Sequence, residues 1–462
     1  MTTVLEALAK FVAETKFVPD KETISIVRDA FIDTLGCVLV GARQPVAKNT
    51  LQTLAAWGSG TAPVYGTGLM LPPPWAAMAN ATAGHALDFD DWEIPGNTHS
   101  SIAIFPALLA VATGMETPVS GKAILDAYLA GFEVIARLGE AINFEHYALG
   151  WHSTVTLGAI GSAAAVARIL GLNVHQTMCA MSLAVSQAVG YTCQFGSNAK
   201  PLQAGMAAKA GVLSAALAQN GLTGQPHVIE THNGLNSLMA HGDQDRVAAV
   251  FADFPKQTLA LSEYGLVMKP YPSCGYTHRV IDCARIIQQM PDFDATSIVR
   301  ITASLPDFHA GILPFMQPTE RAEALFSAPF CVSLTLLGRT VSLAEIEAEA
   351  WTEPVIMDLI AKTTKLIRTP INPELNYDPG DPDWVKVEMA DGTVLRAEVA
   401  YPLGDPHNRM SSTQLMQKFL LNAAIDLEQP AFTEVIHSLQ HWIEKDNIME
   451  VVAPFAFANV QG

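Results

Sequence analysis

Four carboxylates lie between two histidines in one short segment of the chain. The segment, Gly84 to Ser101, reads GHALDFDDWEIPGNTHSS, and its ionisable residues are His85, Asp88, Asp90, Asp91, Glu93 and His99. Such a set could bind a divalent metal, but its spacing fits neither an EF-hand loop nor an H-E-x-x-H motif. A second interpretation is proton transfer, in which one carboxylate orients a histidine that acts as acid or base.

A third interpretation is structural, with the acids in a solvated loop after a helix. Carboxylates at a helix C-terminus oppose the macrodipole and gain no stability there. This unfavourable placement favours the catalytic interpretation, and a metal site is the least favoured of the three.

A long interval without acids follows this segment. Residues 146–229 contain no Asp or Glu, although an even spread of the chain's 45 acids would place about eight of them there. Buried core helices explain most of such an interval. They do not explain Lys200 and Lys209, which are costly to bury alone. In a chain of formal net charge −18, this region suits an anionic ligand such as a small carboxylate.

A second basic group lies in the segment VMKPYPSCGYTHRVIDCARI. Its prolines keep the chain extended after Lys269, and a helix is predicted from about Tyr276. Lys269 is then either a ligand contact at a domain seam, where binding sites are common, or an ordinary surface lysine beside a turn. The sequence supports both interpretations equally.

The overall composition excludes several classes of protein. Hydrophobic residues make up 50% of the 462 residues and charged residues 16%, which is typical of a folded chain with much internal surface. That internal surface also favours an oligomer. The net charge, without any Lys/Arg-rich run, makes nucleic acid a poor partner.

The N-terminal segment and the cysteine spacing argue against further classes of protein. The first 19 residues have the spacing of an amphipathic helix and not of a signal peptide, and no stretch predicts a membrane span. We therefore expect a cytoplasmic protein. Its six cysteines include no C-x-x-C pair, which argues against a disulfide scaffold, a zinc ribbon and an iron–sulfur cluster. We expect no cofactor and no resident metal.

Two kinds of domain are predicted to position these residues. Helical periodicity runs to about residue 265 and returns after 411, with Ser120 as one clear N-cap. The intervening region contains strand signals at Ser297–Leu305 and Thr363–Arg368 and a hairpin around Asp391-Gly392. The prediction is a mainly α fold: a large all-helical domain of residues 1–268 with 403–462, and a smaller α+β lid domain of residues 269–402.

Four motifs together resemble one protein family. They are HALDFDD with a nearby T-H-S, GWHSTVTLGAIGSAAAVARILGL, AKPLQAGMAAKAG and KPYPSCGYTHR. Their order and spacing, over nearly the whole chain, resemble the MmgE/PrpD family, which includes 2-methylcitrate dehydratases, cis-aconitate decarboxylases and iminodisuccinate epimerase. The resemblance implies the two domains described above, and a homodimer.

The resemblance also implies an anion pocket between the domains. The catalytic residues that it implies are His152, His99, Lys200 and Asp88, and the implied substrate contacts are Lys269, His278, Trp92 and Cys274. Asp88 is expected to orient a neighbour, and the other acids of its segment to cap or pair. Trp92 stands where the decarboxylases have threonine, and they also have a histidine near Cys274 and a tyrosine near Phe330 that this chain lacks.

We predict a lyase that acts on a small di- or tricarboxylate by dehydration or decarboxylation. The carbanion or enolate next to a carboxylate would be stabilised by Lys200 and Lys269. His152 and His99, with pKa values near neutrality, would be the acid–base pair. One alternative is an epimerase of a dicarboxylate such as an iminodisuccinate-like compound, which needs the same enolate. Another is a non-catalytic family member that binds a carboxylate or a protein partner.

Overall fold

The computed structural model describes residues 2–373, 375–424 and 430–456. Its N-terminal part is a succession of helices, interrupted by one antiparallel hairpin of two short strands. In chain order the elements are α1 (Val4–Glu14), α2 (Lys21–Gly41), α3 (Pro45–Ala55), β1 (Ala62–Val64), β2 (Leu69–Leu71), α4 (Pro73–Gly84), α5 (Ser100–Ala112), α6 (Gly121–Ile142), α7 (Glu145–Ala148), α8 (Ser153–Ile169), α9 (Val174–Val185), α10 (Ala199–Gln219), α11 (Leu235–Met239), α12 (Gln244–Phe251) and α13 (Ala260–Tyr264).

Helices and strands then mix, and the chain ends in helices. The mixed part contains α14 (His278–Gln288), β3 (Ile298–Pro306), α15 (Asp307–Ile312), α16 (Arg321–Ala324), α17 (Ala328–Leu336), α18 (Leu343–Glu347), α19 (Pro354–Ala361), β4 (Thr363–Arg368), β5 (Asp383–Met389) and β6 (Val394–Val399). The tail contains α20 (Ser412–Ala423), α21 (Pro430–Gln440) and α22 (Ile448–Ala456).

One four-stranded sheet organises the mixed part. Its order is β4-β3-β5-β6, with β3 parallel to β4 and antiparallel to β5, and β5 antiparallel to β6. Along β5, buried and half-buried residues alternate, so one face of the strand is turned toward the core. Helix α14 packs against β5 and β6. The predicted hairpin turn is confirmed, with Gly392 at a φ of 90° that glycine adopts without strain.

The helices of the N-terminal part pack at very short range around α8. A Cβ atom placed on Gly161 of α8 would lie 2.7 Å from the backbone oxygen of Gly131 in α6. A Cβ atom on Gly211 of α10 would lie 2.1 Å from Oγ of Ser162 in α8. Glycine therefore lets three backbones approach where any larger residue would separate them.

Two large hydrophobic cores result. One contains the helices from α1 to α13 together with tail residues such as Phe419 and Trp442, and the other contains the mixed part from Val267 to Ala397. Trp92 belongs to the second core although it follows α4 in the chain. The acid segment is thus the place where the two cores meet.

The predicted fold class, mainly α with a smaller α+β part, is confirmed. The predicted cap of α6 is also present, because Oγ of Ser120 accepts a hydrogen bond from the amide of Ala123 at 3.2 Å. The boundaries at 268/269 and 402/403 stay a prediction, and residues 425–429 and 457–462 of the predicted tail lie outside the described residues. Among the described helices, none has the length and apolar character needed to cross a membrane.

Candidate active site

A cavity lies between the two cores. Every lining residue is buried except Phe195, which is half-buried. The lining residues are Asp88, Trp92, Asn97, His99, Tyr147, His152, Phe195, Lys200, Lys269, Cys274, Gly275, Tyr276 and Phe326.

The backbone turns sharply at Asp88, just after α4 ends. Asp88 has a φ of 49°, in the left-handed region that few non-glycine residues adopt. Its Oδ1 atom lies 2.8 Å from Nζ of Lys200 and 2.6 Å from Nζ of Lys269. Lys269 also donates a hydrogen bond to the backbone oxygen of Asp88 at 2.8 Å. One carboxylate therefore holds two ammonium groups together inside the cavity.

Burial and the neighbouring charges change the pKa values of Asp88 and Lys200. Burial opposes ionisation of Asp88, but Lys200 and Lys269 outweigh it and hold the pKa of this carboxyl well below its usual range. Burial lowers the pKa of Lys200, and Asp88 counteracts part of that effect. Asp88 is thus ionised, and the ammonium groups near it are held in place before any ligand binds.

Asp90 lies close to two histidines. Its carboxylate accepts a hydrogen bond from Nδ1 of His85 at 2.8 Å and lies 3.2 Å from Nδ1 of His99. The Nε2 atom of His85 accepts a hydrogen bond from Lys200 at 3.0 Å, which fixes a neutral imidazole with its proton on Nδ1. Burial raises the cost of ionising Asp90, but His85 and His99 keep its pKa well below the usual range.

His152 is the cavity residue best prepared to accept a proton. It precedes α8, and its Nδ1 lies 2.5 Å from Oε1 of Gln203 on α10. A glutamine oxygen can only accept, so Nδ1 carries the proton and Nε2 keeps its lone pair. Burial, reinforced by Lys200, lowers the pKa of His152 well below its usual range.

The expectation that both histidines titrate near neutrality is wrong. Burial lowers the pKa of His99 to about 3, even though Asp90 acts in the opposite direction. The physical reason is desolvation, which disfavours the charged imidazolium at a buried position. Both rings are therefore neutral at pH 7.

The structure brings together seven of the eight residues singled out in the sequence. Asp88, His99, His152, Lys200, Trp92, Lys269 and Cys274 all line the cavity. His278 does not line it, and its Nε2 atom lies 3.3 Å from the backbone oxygen of Ser273. Burial raises the pKa of Cys274 to about 12, so this thiol contacts the cavity in its protonated form.

The acid segment itself is buried, so the interpretation as a solvated loop is wrong. Asp90 rather than Asp88 makes the closest carboxylate contacts with the histidines, since Asp88 Oδ1 lies 3.6 Å from Nε2 of His99. Burial raises the pKa of Glu93 to about 7, and this side chain accepts hydrogen bonds from the amides of Gly96 and Thr98.

Sequence reasoning missed several residues of the site, among them Gln203, which contacts His152 but does not line the cavity. Gln203 could have been found, because it follows Lys200 by three positions and therefore lies on the same face of the helix. Phe195 and Phe326, whose rings each lie 5.2 Å from Nζ of Lys200, come from segments without a recognisable motif.

Four groups of this site have donor atoms close enough to hold a metal ion. His85, Asp88, Asp90 and His99 each offer an atom within 4.8 Å of the others. However, Lys200 and Lys269 already contact Oδ1 of Asp88, and a divalent ion there would lie beside two like charges. The donor set fits two ammonium groups better than it fits a metal ion.

Comparison with known proteins identifies the family. Residues 6–248 match the MmgE/PrpD N-terminal domain, and residues 271–440 match the MmgE/PrpD C-terminal domain. The chain belongs to the MmgE/PrpD family. The two matched regions place the acid segment and Lys200 in the N-terminal domain of the family and Cys274 in its C-terminal domain.

Named MmgE/PrpD relatives align with most of this chain. Mouse (Mus musculus) cis-aconitate decarboxylase is 29% identical over 85% of this chain and 81% of its own length. Aspergillus terreus cis-aconitate decarboxylase is 26% identical over 81% and 79%, respectively. The 2-methylcitrate dehydratase of Cupriavidus necator is 26% identical over 86% and 85%. Decarboxylases and dehydratases are both lyases, so the predicted class of enzyme is confirmed over the epimerase and non-catalytic alternatives.

Proposed function

We propose that this protein is a lyase acting on a small tricarboxylate of the citrate or aconitate type. The reaction is dehydration or decarboxylation through a carbanion adjacent to a carboxylate. One observation carries the proposal: two buried lysines converge on a single oxygen of Asp88, in a cavity that also contains a neutral histidine with a free lone pair. The names of the relatives support the same class of substrate.

The two lysines supply the electrostatic part of the mechanism. A carbanion next to a carboxylate delocalises its charge onto the carboxylate oxygens, so cations fixed at those oxygens stabilise it more than they stabilise the substrate. Lys200 and Lys269 are already held by Asp88 and need little rearrangement. Asp88 acts here as a counter-ion that keeps two like charges at one point.

The histidines supply the proton transfer. In dehydration, Nε2 of His152 accepts the proton from the carbon next to the carboxylate, and His99 donates a proton to the departing hydroxyl group. In decarboxylation, carbon dioxide leaves first, and a protonated histidine then donates to the carbanion. Binding of a trianion raises the pKa of both rings, since a nearby negative charge favours imidazolium. Asp88 and Asp90, on either side of His99, add to that effect.

The decisive experiment is proton NMR of the purified protein in heavy water with citrate, 2-methylcitrate and cis-aconitate. Loss of water or of carbon dioxide from one of them is the expected result, and the product identifies which reaction occurs. Deuterium entering the substrate without any change of skeleton would indicate an isomerase instead. Failure of the folded, purified protein to change any of the three tricarboxylates would contradict the proposal.

A matched pair of variants ties this turnover to the cavity. His152→Ala removes the proposed base, whereas His175→Ala removes an exposed histidine from the same acid-free interval. We expect turnover to be lost in the first variant and kept in the second. Full turnover by His152→Ala would remove His152 from the mechanism.

The proposal includes a cytoplasmic homodimer. The low charge fraction and the family motifs support the dimer. Light scattering during gel filtration should give twice the chain mass of 49.4 kDa. A mass of one chain at micromolar concentration would contradict the dimer.

A further inference from the structure

A further buried ion pair, between Asp33 and Lys418, lies next to the acid segment. Asp33 of α2 is 1% exposed and Lys418 of α20 is 6% exposed. The Nζ atom of Lys418 lies 2.7 Å from Oδ1 of Asp33. Neither residue lines the cavity.

Lys418 contacts the acid segment directly. Its ammonium donates a hydrogen bond of 2.7 Å to the backbone oxygen of Phe89 and lies 3.8 Å from the centre of the Phe89 ring. Phe89 is the residue between Asp88 and Asp90. Because Lys269 binds the backbone oxygen of Asp88, two lysines from distant parts of the chain bind two consecutive carbonyl groups.

These two contacts lie at and directly after a residue with an unfavourable backbone conformation. A non-glycine residue in the left-handed region persists only when its surroundings fix it, and Asp88 is such a residue. The turn decides where the flanking side chains point: Asp88 toward the lysines, and Asp90 toward His85 and His99. A clamp on the Phe89 carbonyl therefore controls both sets of contacts.

The Asp33–Lys418 pair places a third buried lysine beside a buried carboxylate. Burial raises the cost of charging Lys418, but Asp33 outweighs it and raises the pKa of this lysine above its usual value. Three buried lysines, at 200, 269 and 418, thus contact carboxylates of buried Asp88 and Asp33, with Asp90 nearby. A buried ion pair is weak evidence for stability, since well-packed apolar residues often replace one without loss.

We propose that Lys418 is a positioning residue for the reaction, and that it sets the directions of Asp88 and Asp90 by binding the carbonyl group of Phe89. Asp33 holds the Lys418 ammonium at that carbonyl. The inference rests on the proposed function for its kinetic test, but its structural test does not need a substrate.

The kinetic test compares three variants. Lys418→Met removes the clamp and leaves Asp33 unpaired; Asp33→Asn combined with Lys418→Met removes the clamp and both charges. Glu133→Gln breaks another buried ion pair, with Arg137, whose residues do not line the cavity. Displacement of catalytic groups by about 1 Å can lower a rate by about 100-fold. We expect kcat to fall at least ten-fold in both Lys418→Met variants, with KM changed less than three-fold.

Stability separates a positioning role from a purely structural one. We expect the double variant to regain thermal stability relative to Lys418→Met while its kcat stays low. Glu133→Gln should lose stability but keep kcat. Recovery of kcat together with stability in the double variant would overturn the proposal, because the pair would then act only through folding.

Histidine NMR gives a result even when no tricarboxylate is turned over. In protein labelled with ¹⁵N at histidine, the Nδ1 signals of His85 and His99 report the positions of these two rings beside Asp90. We expect these signals to move in the double variant and to stay in place in Glu133→Gln. Unchanged signals in the double variant would overturn the positioning role, whereas absent turnover by the unmodified protein would count against the proposed function alone.

Discussion

Replacing Lys200 by methionine tests the electrostatic mechanism most directly. Methionine keeps much of the apolar stem of the lysine, so the change removes the charge with little loss of packing. Removing one preorganised group from such a site costs about 2.7–4 kcal/mol, or roughly 10²–10³ in kcat. Because Lys269 remains 2.6 Å from the same oxygen of Asp88, we expect the lower end of that range, a loss of about 100-fold.

The control is Lys209→Met. Lys209 lies on the same helix, in the same acid-free interval, but it does not line the cavity. Initial rates at several tricarboxylate concentrations, followed by proton NMR, separate kcat from KM. A Lys200→Met variant that keeps more than a third of the original kcat would refute this electrostatic role. A rise in KM alone would also refute it, because Lys200 would then bind substrate and carbanion equally well.

Three further predictions concern protonation and packing. Gln203→Glu places a carboxylate at Nδ1 of His152 and should raise its pKa, so the acidic limb of kcat/KM against pH moves upward by at least about one unit. The pKa of Glu93 is raised to about 7, so the folded protein keeps this proton to a higher pH than the unfolded chain does, and its stability falls as the pH rises from about 4.5 to 7. In urea unfolding, the free energy of unfolding of Glu93→Gln should therefore rise relative to that of the unmodified protein by up to about 3 kcal/mol between pH 5 and pH 8. A difference that stays constant over this range would contradict the raised pKa. Gly161→Ala should lower the free energy of unfolding by about 1–3 kcal/mol, whereas Gly114→Ala, where a Cβ atom meets no atom closer than 3.8 Å, should change it little.

Local signals in the sequence predict much of this fold. Ser120 marks the start of α6 because a side-chain oxygen there satisfies a free amide, and Asp391-Gly392 marks the hairpin because its turn needs a positive φ. The hairpin of β1 and β2 was missed, since strands of three residues carry too little alternation to be recognised.

The residues of the site were easier to predict than their partners. Residue types at motif positions indicated lysines and histidines around an anion, and these side chains do meet in one cavity. Whether Asp88 or Asp90 faces the histidines depends on the left-handed turn at Asp88, which no residue type at that position specifies. The sequence gives no indication of the role of Lys418, because its contact with Phe89 spans 329 positions of the chain.

That spacing has a consequence for how the protein is made. Lys269 and Lys418 bind neighbouring carbonyl groups from positions 181 and 329 residues further along the chain. During synthesis the acid segment leaves the ribosome long before either lysine does. Contacts of such long range form late in folding, because closing so large a loop costs entropy before the contact returns any energy. The acid segment therefore acquires its final shape only when the tail helix α20 has been synthesised and has docked on α2.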